Sequence, residues 1–170
     1  MVSFGGFVRF NDNEQSRTEF FKKVEIIYIG PNNNHNCQLP DLPDPIYGHS
    51  TIKTNIGIIN CGGSADVGDG GHEKCWKLMP NNSWGHFPSM KVGRKYFSME
   101  EANGKLFAVG GADPGAEGSM EWIDLKNVTS WTRKDLPFKV KRHCMTKFNE
   151  THILLTGGED PEEVLNITLK

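Results

Sequence analysis

A chain of 170 residues has the size of one ordinary domain, able to bury roughly 70% of the surface its unfolded form exposes. Its 19 basic and 21 acidic residues leave a net charge of −2, which gives no general attraction for nucleic acid or an anionic lipid surface. Nineteen glycines among 36% apolar residues suit a turn-rich fold better than a helical bundle, and the run Ile26-Ile27-Tyr28-Ile29 is far too short to span a bilayer.

From the N-terminus, the elements fall into repeating units. Four times an apolar stretch runs into a glycine pair: Gly5-Gly6, Gly62-Gly63, Gly110-Gly111 and Gly157-Gly158, at spacings of 57, 48 and 47 residues. The first unit, residues 1–47, supplies a second strand at Val2-Ser3-Phe4, a third strand over 24–29 and a proline-rich exit over 37–43. It has no first strand. The second unit, 48–93, opens on Gly48-His49-Ser50 and continues with strands at 56–61, 74–78 and Ser83-Trp84. In the third, 94–141, the pattern predicts strands at 94–99, 105–109, 120–124 and 130–133. The fourth, 142–170, opens on Arg142-His143-Cys144, aligned with Arg94-Lys95-Tyr96, and supplies strands at 152–156 and 164–169 but no last strand.

A double glycine after the second strand, a third strand with acidic or aromatic residues, a tryptophan near the fourth strand and an Arg-His opening are the marks by which the chain resembles the Kelch-repeat family. The resemblance covers nearly the whole chain. It implies an all-β fold: a partial Kelch-type β-propeller of antiparallel four-stranded blades, about three and a half of them, as in a fragment of a larger ring. Cys37 with the Leu39-Pro40-Asp41-Leu42-Pro43 stretch, Gly48-His49, Cys61-Gly62-Gly63 and Cys75-Trp76 are similar to the cysteine-bearing Kelch proteins that invertebrates secrete.

Each glycine pair removes two Cβ atoms where backbones crowd together and permits a positive φ at the turn. Trp76, Trp84, Trp122 and Trp131 recur at equivalent places, with Trp84 and Trp131 beside the fourth strands, so packing between units explains them better than ligand stacking.

Of the four cysteines, Cys61 and Cys75 flank the hairpin between second and third strands at similar distances from its middle, which makes a disulfide between them feasible. Cys37 is an alternative partner for Cys61, Cys144 reads as a free core thiol, and buried reduced cysteines remain the simpler state. Asn-x-Ser/Thr acceptors stand at Asn81, Asn127, Asn149 and Asn166, the first two in the turns between third and fourth strands. These matter only in the secretory pathway. Met1 to Gly6 does not read as an export leader, so any such signal would lie upstream.

The histidine–cysteine pairs His35 with Cys37, His72 with Cys75 and His143 with Cys144 lack zinc-site spacing. Residues 66–71 lack the ligand pattern of a calcium or phosphate loop and read as a flexible connection. The basic residues from Arg133 to Lys147 are interrupted by Leu136-Pro137-Phe138 and read as a solvated edge. No nucleophile elbow or acid pair stands out, so neither cofactor nor metal is expected. A copper-oxidase resemblance would need tyrosine ligands, and Tyr28, Tyr47 and Tyr96 are tied to no ligand cluster.

The resemblance therefore implies a non-catalytic protein-interaction scaffold that meets its partner through propeller loops, in an extracellular setting. The alternative is a cytoplasmic adaptor presenting targets to a ubiquitin ligase.

Overall fold

The computed structural model describes residues 2–12, 15–26, 39–159 and 165–168, with side chains over 39–159 and at Val24. Every strand pairing is antiparallel, and no helix occurs among the described residues. A hairpin of β1 (Val2–Asp12) and β2 (Gln15–Ile26) forms the first sheet. The second comprises β3 (Ser50–Thr54), β4 (Gly57–Cys61), β5 (Cys75–Leu78) and β6 (Trp84–Phe87), hydrogen-bonded in chain order. The third repeats that order with β7 (Ser98–Ala102), β8 (Lys105–Val109), β9 (Ser119–Asp124) and β10 (Thr132–Asp135). The fourth contains β11 (Cys144–Asn149), β12 (His152–Thr156) and β13 (Leu165–Thr168).

Sheets this small cannot bury both faces alone, and the core lies between them. Ile59, Cys61, Cys75 and Phe87 of the second sheet pack against Met99, Leu106, Ala108 and Ile123 of the third. Phe107, Val109 and Met120 of the third sheet meet Ile153 and Leu155 of the fourth. Alternation explains the division: along β8, Leu106 and Ala108 face one neighbour while Phe107 and Val109 face the other.

The tryptophans beside the fourth strands tie successive units together. Trp84 Nε1 donates to the Pro40 carbonyl at 3.1 Å, and Trp131 Nε1 donates to the Pro88 carbonyl at 2.7 Å. Trp131 is 1% exposed and Trp84 half-buried, so each gives apolar area while its one donor is satisfied by the preceding connector.

The glycine pairs have a divided role. A Cβ at Gly62 or Gly110 would stand 2.4 Å from the Arg94 carbonyl or 2.3 Å from the Val140 carbonyl, in the connector leading to the next sheet. A Cβ at Gly63 or Gly158 would meet the connector of its own unit, 2.9 Å from the Tyr47 carbonyl or 2.7 Å from that of Lys141. The N–H groups of Gly63 and Gly111 donate to Arg94 and Val140. These pairs are where one sheet locks to the next. Gly5 and Gly6 differ, since they lie within β1, at a register shift between Phe4 and Gly6, and do not end the strand.

Strand openings also differ from expectation. The sequence places Arg94 at the start of a strand, whereas β7 begins at Ser98 and Arg94 lies in the connector. Structural equivalence runs Gly48, Tyr96, Arg142, so Arg94 corresponds to Ile46 and Val140 and not to Arg142. The last strands are also shifted, β6 running to Phe87 and β10 to Asp135. Arg94 escapes a strand reading because its role is set by carbonyls distant in sequence.

Candidate functional site

Arg94 is the centre of a buried polar network that motif reading missed. Nη1 donates to the carbonyls of Gly110 (2.7 Å), Ala116 (3.1 Å) and Ser119 (3.1 Å). Nη2 donates to Ser119 Oγ at 2.9 Å and to Glu121 Oε1 at 3.0 Å. Glu121 in turn accepts the N–H groups of Lys91 (2.6 Å) and Val92 (3.1 Å). Both ionised side chains are fully buried, and desolvation pulls the Arg94 pKa down while Glu121 opposes that shift. The network fastens the connector at 88–97 to the loop between β8 and β9. Its role is architectural.

That connector delivers a second group of side chains to the exposed end of the sheets where the β4–β5 and β8–β9 loops also lie. Gly48, Tyr96 and Arg142 occupy equivalent places just before β3, β7 and β11, all with positive φ, at 65°, 56° and 56°. Their backbones join in series: Tyr96 N–H donates to the Gly48 carbonyl at 2.7 Å, and Arg142 N–H donates to the Tyr96 carbonyl at 2.8 Å. Glycine suits this conformation. Tyrosine and arginine pay about 1–3 kcal/mol each for it.

The side chains so placed form a stack. The Tyr47 ring meets the Tyr96 ring edge-on at 6.0 Å, and the Arg142 guanidinium carbon lies 4.9 Å from the centre of the Tyr96 ring. Tyr47 OH donates to the Asp66 carbonyl at 3.1 Å. Charged groups surround the stack. Arg142 pairs with Glu159, and Lys141 Nζ lies 3.2 Å from the same carboxylate. The hydrogen bonds from Arg142 and Lys141 hold the Glu159 carboxyl below the usual carboxylate range, and Glu159 raises the Arg142 pKa.

Asp113 accepts the Gly71 and Lys95 N–H groups at 2.8 Å each, while Lys95 Nζ donates to the Asp69 carbonyl. The loop over 66–71 is thus tied to Lys95 and Asp113 at Asp69 and Gly71, while Val67 is exposed. Tyr47 is buried beneath the stack, so the half-buried Tyr96 ring, the exposed Arg142 guanidinium and the paired charges are the groups that can make stacking and charge-assisted contacts with a polypeptide.

Among the sequence-predicted residues, Cys61 and Cys75 form a disulfide with Cα atoms 4.1 Å apart, directly opposed across β4 and β5. Cys37 lies outside the described residues. Cys144 is free but exposed, not in the core, because it stands on the uncovered side of β11. Asn81 and Asn127 are exposed in turns, and Asn149 is exposed as the last residue of β11, all at the end opposite the Tyr96 stack; Asn81 Oδ1 accepts the Ser83 hydroxyl at 2.7 Å. Asn166 lies within β13, paired with Leu154. The basic stretch is partly neutralised by Arg133–Asp135, Lys139–Glu117 and Lys147–Glu150 pairs. Among the described residues no three His, Cys, Asp or Glu side chains converge as metal ligands.

No family model and no curated protein matches the chain. Its fold is similar to that of a solved protein described as "Structure of YjhT", with a TM-score of 0.60 and 20% sequence identity. The match covers 72% of this chain and 37% of that one, so the chain spans well under two thirds of the solved protein. At this identity the likeness is one of fold.

Proposed function

We propose that the chain is a run of Kelch-type β-propeller blades acting as a non-catalytic protein-interaction scaffold, with its contact surface at the end that carries Tyr47, Tyr96 and Arg142. The carrying observation is the positive φ of Tyr96 and Arg142 where the second sheet has Gly48. Glycine would remove that strain, so retention of two large side chains there argues for a use of the side chains. Sheets repeated in one strand order, packed face to face and locked by glycine pairs, support the propeller reading.

The Cys61–Cys75 bridge favours an oxidising compartment over the cytoplasmic setting of a ubiquitin-ligase adaptor. In that compartment Asn81, Asn127 and Asn149 are exposed acceptors, and sugars on them would crowd the opposite end and leave the Tyr96 surface bare. The test is partner capture from extracellular fluid by the wild type, Tyr96→Gly and an Asn81→Gln/Asn127→Gln control. The reading requires a partner held by wild type and control and lost with Tyr96→Gly. Retention by Tyr96→Gly, or loss only in the control, would count against it.

A further inference from the structure

The end of the sheets that carries Tyr96 is uneven in charge. On one side stands the β4–β5 loop, where Asp66 and Asp69 are exposed and Val67 between them is 58% exposed. The loop is held from below through its backbone. Ser64 Oγ lies 3.0 and 3.4 Å from the carbonyls of Asp66 and Asp69, Tyr47 OH donates to the first of these carbonyls, and Lys95 Nζ donates to the second. These bonds leave the two carboxylates turned to other uses, and neither meets a cation among the described residues. The nearby Lys95 charge is matched by Asp113, 3.9 Å away. On the other side, Lys141 and Arg142 share the single carboxylate of Glu159, which leaves a surplus positive charge. Between the two sides lie the ring contact of Tyr47 with Tyr96 at 6.0 Å and the step from Tyr96 to Arg142 at 4.9 Å.

We infer that this end takes an extended polypeptide segment with a basic group at one end, an acidic group about four residues away, and an apolar or aromatic side chain between them over the Tyr96 ring. The inference rests on the reading of this end as a contact surface and adds the chemistry of what it holds. The spacing follows from the span across the two ring contacts, since an extended chain advances roughly 3.3 Å per residue. The charge pattern follows from the uncompensated acids at 66 and 69 and the surplus cation at 141 and 142, because complementary charges around an aromatic centre set register and exclude wrong partners. The backbone bonds that order the acidic loop lower the entropy lost on binding.

The test uses the full chain and three labelled eight-residue peptides, each with a central tyrosine: one with two lysines at one end and two glutamates at the other, one with glutamates at both ends, and one with lysines at both ends. Fluorescence anisotropy at low salt should show the mixed peptide bound at least about tenfold more tightly than either other, a preference that shrinks at high salt. Asp66→Lys/Asp69→Lys, which exchanges exposed side chains and keeps the backbone bonds, should melt as the wild type does and should prefer the all-glutamate peptide. Equal binding of the three, binding of none, or a preference unmoved by that exchange overturns the inference. Partner capture lost with Tyr96→Gly while the peptides show no preference would leave the contact surface standing and sink its charge pattern alone.

Discussion

The connectors entering the third and fourth sheets occupy the same place and solve it with opposite chemistry. In the first, Arg94 and Phe97 fill the junction; Nη1 and Nη2 of the arginine donate to three carbonyls, a hydroxyl and Glu121, and Nε has no partner among the described residues. In the second, the equivalent residues are Val140 and His143, and the histidine is 5% exposed with neither ring nitrogen hydrogen-bonded. A buried charge is tolerated where an opposite charge and several acceptors meet it, and a smaller polar group is costly where nothing does. The difference teaches that repeat position fixes which backbone a side chain meets, while each unit's loops decide whether a polar group there finds partners.

The largest test breaks the satisfied junction. Glu121→Ala should leave Arg94 as an uncompensated buried charge and cost about 3–5 kcal/mol in chemical denaturation. The double change Arg94→Met/Glu121→Met should recover much of that loss, since it removes both charges; a double variant no better than Glu121→Ala would mean that packing, not charge, governs the site.

Acid probes the other junction. Burial pushes the His143 pKa down to about 4, from 6.5 in the unfolded chain. The unfolded state therefore takes up a proton as pH falls through 6.5 while the folded state does not, so stability is full above that value and declines down to about 4. The span is on the order of 3 kcal/mol, readable from denaturation midpoints across that window. His143→Phe, which copies Phe97, should flatten this part of the pH profile and raise neutral stability by about 1–3 kcal/mol.

The disulfide sits beside these junctions in the second sheet, closing a loop of 14 residues' separation. Cys61→Ala/Cys75→Ala should cost about 3 kcal/mol in denaturation without reductant, and added reductant should bring the wild type down to the variant. The smallest effect is expected at Tyr96→Gly, a gain of about 1 kcal/mol from relieved backbone strain, offset in part by the lost ring contacts with Tyr47 and Arg142. A clear loss of stability there would mean that the stack holds the sheets together.

Much of the architecture was legible from the residues. The three diglycines at 62, 110 and 157, the turn residues and the alternating strands mark the second to fourth sheets, and β8 and β12 fall on the expected residues. The facing cysteines could be read because antiparallel pairing sets equal distances from a hairpin's middle in register. Arg94 could not, since an arginine in a polar-looking segment carries no sign of the carbonyls at 110, 116 and 119 that converge on it. Tyr96 and Arg142 were visible as residues but not as a site, because a positive φ is imposed by the backbone series from Gly48 onward.

Alternation, glycine pairs and tryptophan spacing, all local along the chain, were enough to determine that this protein is antiparallel β-sheet in repeated units. Which residue sits in which junction, whether its polar atoms find partners, and which end carries the aromatic stack were decided by the tertiary structure. Those properties depend on atoms more than ten residues apart meeting within hydrogen-bonding distance, and no local pattern encodes such a meeting.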